Sequence, residues 1–283
     1  MISLEEAHES VRRYYNNNTK TFEKYGQGNT AIHRAVWGPG VRSREQAFRY
    51  LDQLVLDDIR QLGAATGRVL DLGCGVGGSL LGLAAALPEL SGVGVTLSSV
   101  QARRASQLIA AAKLEGRMSC LEADFVALPG ELAVFDVAFA FEAFVHCPDA
   151  GAFFRSVARH VRPGGRLILC DDFLAREPGT PTERRWVERV RAGWLGLGLA
   201  SVAETVQCAA AHGFELSSGS DLTAYLELRR PRDRALALLL FLGSPLRLRG
   251  TLWKSWQGGD ALQRALMARL IEFRCLRFER GAD

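Results

Sequence analysis

From residue 67 onward the chain alternates between two hydrophobic patterns. Short, nearly continuous apolar runs at 68–73, 92–97, 118–123, 135–141 and 166–171 have the length of strands. Between them, 79–87, 99–114 and 150–161 carry apolar residues at helical spacing, the last closed by Pro163-Gly164-Gly165. Strands apolar at successive positions are covered on both faces, and intervening helices supply the crossovers of a parallel sheet. The pattern therefore predicts an α/β fold with a doubly wound, Rossmann-like sheet.

The flanks read differently. A helix over 43–62 opens with Ser43 and Gln46 at capping-box spacing and repeats Ala47, Leu51, Leu54, Val55 and Ile59 on one face. After Asp172 the chain reads as a linker over 174–181 and helices over 183–193 and 201–212. Ser201 and Glu204 repeat the capping-box spacing, and Gly213 suits the stop. A sixth strand is expected at 214–222. Residues 225–250 mix a basic cluster with an apolar helix, a further helix lies near 260–270, and a last strand at 273–278 returns antiparallel to the sheet. The implied division is a helical lid over 1–62, a core over 63–173 and a C-terminal part over 174–283. That last part completes the sheet and carries substrate-cap helices at about 225–270. Residues 1–40 hold Tyr14, Tyr15, Phe22, Tyr25, His33 and Trp37. Disordered tails are poor in aromatics, so this stretch is expected to pack, either closing one edge of the core or placing ring faces over a ligand.

Composition narrows the class. Of 283 residues, 48% are hydrophobic and 23% charged, which suits a globular protein with a large core. The net charge of +4, with no basic run interleaved with stacking aromatics, argues against a nucleic-acid partner. The six cysteines are scattered without a C-x-x-C pair, as free thiols in a reducing compartment would be. The N-terminal residues lack the pattern of a signal peptide and the longest apolar run is short of a membrane span, so a cytoplasmic location is expected. No metal ligand is assigned, and both a Mg2+ requirement and oligomerisation are left open.

Candidate chemistry begins where the first strand ends. Val69-Leu70-Asp71-Leu72-Gly73-Cys74-Gly75-Val76-Gly77-Gly78 is strand, tight turn and helix start, the arrangement in which a nucleotide or nucleoside approaches bare backbone. A dinucleotide site needs an acid about 20 residues on, at the end of the second strand. That end reads Gly94-Val95-Thr96-Leu97-Ser98, without a carboxylate, and Gln101 follows with an amide able to bond hydroxyls. The third strand closes in Asp124-Phe125, a carboxylate and a ring suited to an adenine.

These residues resemble motif I of the class I S-adenosylmethionine (SAM) methyltransferases. The stretch from Gly94 to Gln101 is similar to the second-strand motif of sterol side-chain methyltransferases, cyclopropane fatty acid synthases and some natural-product methyltransferases, in which the glutamine binds the SAM ribose. The resemblance covers about residues 10–175 and implies the Rossmann-like methyltransferase fold. It also implies SAM as cofactor, held by Asp71, Gly73, Gly75, Gly77, Thr96, Leu97, Gln101, Asp124 and Phe125.

The fourth strand ends in Glu142-Ala143-Phe144-Val145-His146-Cys147-Pro148-Asp149, similar to the Glu-Ala-x-x-His-x-Pro-Asp of sterol side-chain methyltransferases. Geranyl diphosphate C-methyltransferases also place a catalytic glutamate there. The resemblance implies that Glu142 stabilises positive charge and takes a proton, with His146 assisting. In sugar and polyketide O-methyltransferases a His and an Asp after strands four and five form a base pair, and His146 and Asp172 occupy those places. Tyr14, Tyr15, Tyr25, His33 and Trp37 are candidates for facing the substrate. In the sterol enzymes a Tyr-x-Tyr-Gly-Trp-Gly-like stretch supplies such rings, and Tyr25-Gly26-Gln27-Gly28 departs from it, which argues against a sterol substrate. Arg229 and Arg230 are candidates for an anionic head group, with a solvated face or a transient membrane-surface contact as the other readings. The expected activity is methylation of a small lipophilic metabolite, first an isoprenoid alkene or prenyl diphosphate at carbon through a carbocation. The alternatives are O- or N-methylation in natural-product tailoring, then a cyclase or binding module on the same fold.

Overall fold

The structure, a computed structural model, describes residues 4–25, 33–243 and 250–282. Seven strands form one sheet: β1 (Arg68–Leu72), β2 (Ser91–Thr96), β3 (Met118–Glu122), β4 (Phe135–Phe141), β5 (Val161–Leu174), β6 (Phe214–Asp221) and β7 (Ile271–Arg280). Their order is β3-β2-β1-β4-β5-β7-β6. The first five run parallel, and β7 lies antiparallel between β5 and β6. The last strand is thus inserted into the sheet, and β6 forms its edge.

The period-2 alternation of strands explains the two cores. Val69, Val137, Phe139, Ile168 and Cys170 face one apolar cluster, while Leu70, Leu72, Ala138, Ala140, Leu167 and Leu169 face the other. The first cluster takes in α2 (Arg44–Gln61), α6 (Pro181–Gly193) and α9 (Thr251–Met267); the second takes in α5 (Ala150–Ala158) and α7 (Val202–Ala210). Ser43, Thr180 and Ser201 each close a capping box at their helix start. Inside the first layer Asp58 of α2, almost fully buried, accepts hydrogen bonds from Arg166 of β5 and Arg277 of β7. That pins the helix across the sheet.

Two expectations are corrected. Pro163-Gly164-Gly165 does not close α5, which ends at Ala158; it forms the bulged start of β5, where pairing jumps from Phe135↔Val161 to Val137↔Arg166. Gly164 has φ +69°, and a Cβ on Gly165 would stand 2.8 Å from the Asp136 carbonyl. Helix α9 starts at Thr251, well before 260, and runs through Gly258-Gly259. Gly258 marks close approach to the end of α6, since a Cβ there would lie 2.5 Å from the Trp194 nitrogen.

The remaining helices are α1 (Leu4–Tyr25), α3 (Gly78–Ala86), α4 (Ser99–Ala111) and α8 (Pro231–Gly243). Helix α1 crosses the carboxyl ends of β2, β3 and β4, while α8 packs on α9. Residues 33–37 return beside the C-terminal cap through the Val36↔Leu226 bridge and a bond from the Trp37 N–H to the Tyr225 carbonyl. Among the described residues no helix is long and apolar enough to cross a membrane.

Candidate active site

Two cavities open at the carboxyl ends of the parallel strands. The first, of about 160 Å³, is lined by the glycine turn, Thr96, Leu97, Gln101, Asp124, Phe125, the start of the Glu142 loop and one face of α1. The second, of about 730 Å³, lies between residues 33–35, α8 and α9. His33, Glu142 and Trp194 line both, so the two chambers meet there.

The first chamber is shaped by backbone. Gly73, Gly75 and Gly77 have φ of +84°, +56° and +81°, conformations that an L side chain resists. A Cβ on Gly73 would stand 2.4 Å from that of Ala143, so the turn also needs the missing side chain for space. Both Gly73 and Cys74 donate to the Val95 carbonyl, which ties the turn to β2. Gly77 itself caps α3 and faces Ala105, while Gly78 reaches the cavity. Asp71, at the floor, is held well above its ordinary pKa by burial and by the neighbouring charge of Asp52.

Gln101 is the most telling side chain of this chamber. Its Oε1 accepts from the Thr96 hydroxyl at 2.8 Å, which turns the Nε2 amide the other way. That nitrogen is buried and has no hydrogen-bond partner among the described residues. A buried unpaired donor costs about 1–3 kcal/mol, so the amide is built for an acceptor that the chain does not supply. Ser98 caps α4 by accepting from the Gln101 N–H and donates to Asn16 of α1 at 2.6 Å. Asp124, expected to meet an adenine, caps a turn at the Val126 N–H and lies 2.8 Å from His8 of α1. Phe125 lines the cavity beside it.

The junction holds the charged groups. Glu142 sits just past β4 with φ +50°, a strained conformation for a residue with a side chain, and its N–H donates to the Cys170 carbonyl. Its carboxylate accepts from the Arg34 N–H at 2.6 Å and from Arg34 Nε at 3.0 Å. The Arg34 guanidinium also stands 2.9 Å from Asp172 and 4.4 Å above the Phe273 ring. Burial alone would depress Arg34, yet Asp172 and Glu142 more than reverse this and hold it above its ordinary range. Burial raises Asp172 against the pull of Arg34. Asp171 is raised further by burial and by Asp172, although it accepts from the Val145 and Asp172 N–H groups.

His146 points its Nε2 at the Tyr15 hydroxyl, 2.9 Å away, and its Nδ1 at the Leu195 carbonyl, also 2.9 Å away. A carbonyl only accepts, so Nδ1 carries the proton and Nε2 accepts from Tyr15. Burial lowers the His146 pKa, keeping the ring neutral, and raises that of Tyr15.

The structure therefore brings Tyr14, Tyr15, Glu142 and His146 to the first chamber, His33 and Glu142 to both, and Arg229 and Arg230 to the second. It does not pair His146 with Asp172, whose partner is Arg34. Trp37 lines neither chamber, because the backbone pairing at 36–37 packs its ring with Ala35, Ala47 and Phe48. Tyr25 ends α1, and its side chain lies outside the described residues. Sequence reasoning missed Arg34, His8, Asn16 and Trp194. None stands in a strand-end motif, and Arg34 meets Glu142 across 108 residues of chain. Among the described residues no group of three His, Cys, Asp or Glu side chains is placed to hold a metal ion.

Strand ends and glycine turn have the architecture of a class I methyltransferase fold, and the comparisons agree on the fold and family. Residues 69–165 match the methyltransferase domain family. The 27-O-demethylrifamycin SV methyltransferase of Amycolatopsis mediterranei is 34% identical over 69% of this chain and 70% of its own length. Cycloartenol-C-24-methyltransferase 1 of Oryza sativa is 31% identical over 75% of this chain, which spans 60% of that relative. Among solved structures, the cyclase SpnF superposes with TM-score 0.74 at 22% identity, covering 96% of each chain. Geranyl diphosphate C-methyltransferase of Streptomyces coelicolor does so with TM-score 0.70 at 17% identity, covering 97% of each.

The chain belongs to the class I SAM-dependent methyltransferases. SAM is the family's cofactor, and the site fits it. The glycine turn leaves a cradle for its methionine end and the unpaired Gln101 amide awaits a hydroxyl.

Proposed function

We propose that the protein methylates a small lipophilic acceptor, with an isoprenoid alkene or prenyl diphosphate as the first choice. The observation that carries this reading is the pair of chambers meeting at Glu142. The larger is walled by Phe48, Trp186, Leu226, Leu236, Trp256 and Leu262, and Arg229, Arg230 and Arg232 also line it. Of these, Arg230 and Arg232 share Asp233, while the Arg229 side chain has no ion pair among the described residues. An apolar chamber with a run of arginines on its lining suits an apolar tail carrying an anionic head.

SAM, when bound, supplies an electrophilic methyl group. The chain's part is to align the acceptor at the junction, exclude water and manage charge; alignment alone can contribute about 7–11 kcal/mol. Glu142 faces any positive charge that develops on the acceptor and is the nearest carboxylate to receive the departing proton. Arg34 holds that carboxylate by two hydrogen bonds and so fixes its direction. The rings of Trp194 and Phe141 stand on the walls around it.

A second reading rests on His146. With Nδ1 committed to Leu195, Nε2 is a neutral acceptor in the donor chamber, and through it an acceptor hydroxyl would lose its proton in O-methylation. Variants separate the two. Glu142→Gln abolishing turnover of isoprenoid acceptors while S-adenosylhomocysteine still binds supports C-methylation, and near-normal turnover refutes it. Loss on His146→Ala but not on Glu142→Gln favours the oxygen nucleophile. The assay is mass spectrometry of methylated products from prenyl diphosphates, free terpenoids and phenols.

A further inference from the structure

Helix α8 has two apolar faces. Leu236 and Ala237 turn inward onto the larger chamber, and Leu240 is buried. Leu238, Leu239, Phe241 and Leu242 turn outward and are 59%, 49%, 74% and 62% exposed. Helical spacing places these four on one side together with Arg234, while Arg232, two residues earlier, is exposed and pairs with Asp233. From Arg234 to Gly259 the sequence contains no acid, yet it holds Arg247, Arg249 and Lys254 besides leucines and two tryptophans. Trp253 closes the far end of α8 against Gly243, with Trp256 6.3 Å from it.

We infer that α8 is an interfacial helix through which the protein docks on an anionic lipid surface. An exposed apolar face costs free energy in water, and residues 229–259 carry seven bases against the single acid Asp233, a balance that matches lipid phosphates. A second copy of the chain is a poorer occupant. A two-fold contact through this face would bring the arginines of both copies together, with only Asp233, already shared by Arg230 and Arg232, to offset them. Docking in this orientation sets the wall of the acceptor chamber, formed by the opposite side of the same helix, against the bilayer where an apolar acceptor resides. The purpose of docking rests on the proposed lipophilic acceptor; the docking itself does not.

The test is flotation of the full chain with phosphatidylcholine vesicles, with and without phosphatidylglycerol, in the absence of donor and acceptor. We expect partition onto the anionic vesicles to exceed that onto neutral ones by about tenfold or more, and to collapse as salt is raised. The double variant Phe241→Asp, Leu242→Asp is expected to lower it at least about tenfold while S-adenosylhomocysteine binds as before, showing an intact fold. The inference is overturned if the parent does not float, if it binds neutral vesicles equally, or if the variant floats like the parent. It is also overturned if light scattering finds a dimer that the double substitution dissociates. Because no acceptor is present, failure here is distinct from failure of the proposed reaction.

Discussion

Replacing Gln101 by Met keeps the length and bulk of the side chain and removes both polar atoms. In the free protein the buried Nε2 has no partner and Oε1 has one, from Thr96. Removal therefore relieves one unpaired donor and strands the Thr96 hydroxyl, two effects of similar size and opposite sign, about 1–3 kcal/mol each. The unliganded variant should melt within a few degrees of the parent. Binding should suffer in full: one or two hydrogen bonds to ribose hydroxyls, at about 0.5–1.5 kcal/mol each, amount to about 2- to 150-fold in Kd. Isothermal titration with S-adenosylhomocysteine measures this directly. A thermal-shift series repeats it independently, since ligand at 100 times Kd adds about 2.7 kcal/mol to the parent. The Gln101→Glu variant keeps the Thr96 bond and offers acceptors to the same hydroxyls, so it should bind more tightly than Gln101→Met. If Gln101→Met binds within twofold of the parent, the amide does not face the cofactor and the assignment of this chamber fails.

Three further outcomes follow from the same site. Burial holds His146 below its ordinary 6.5, so the native state binds fewer protons than the unfolded chain; stability should fall as pH drops through 6.5 toward the native pKa. The Tyr15→Phe variant removes the hydroxyl that favours the neutral ring, which should raise the native pKa toward 6.5 and so shrink that acidic loss in a pH series of melting temperatures; an unchanged loss would mean His146 is not its source. Asp71 is raised well above 3.8, so the native state binds more protons and stability should decline as pH rises from that value through the native pKa. Asp71→Asn should flatten this decline in the free protein and weaken S-adenosylhomocysteine binding, both read by thermal shift. Gly73→Ala places a Cβ at φ +84° and against Ala143, at a cost of about 2 kcal/mol or more, and should abolish titratable binding.

Local patterns carried a good deal of this. The apolar runs located all five parallel strands, the capping-box pairs located the starts of α2 and α7, and the missing acid after β2 separated a SAM site from a dinucleotide site. Glycine was ambiguous at Pro163-Gly164-Gly165: Gly165 marks close backbone approach at a bulged strand start, and spacing cannot distinguish that from a helix stop.

The parallel strands, the glycine turn and the identity of the donor cofactor were thus determined by sequence alone, because periodicity and turn chemistry act between residues a few positions apart. Three features were decided only by the tertiary structure. One is the grip of Arg34 on Glu142 and Asp172; another is the transfer of His146 from an Asp172 partner to Tyr15 and Leu195. The third is the meeting of the two chambers at Glu142. Each depends on groups far apart in the chain brought within hydrogen-bond range by burial, where an unpaired charge is costly and the nearest partner settles the chemistry.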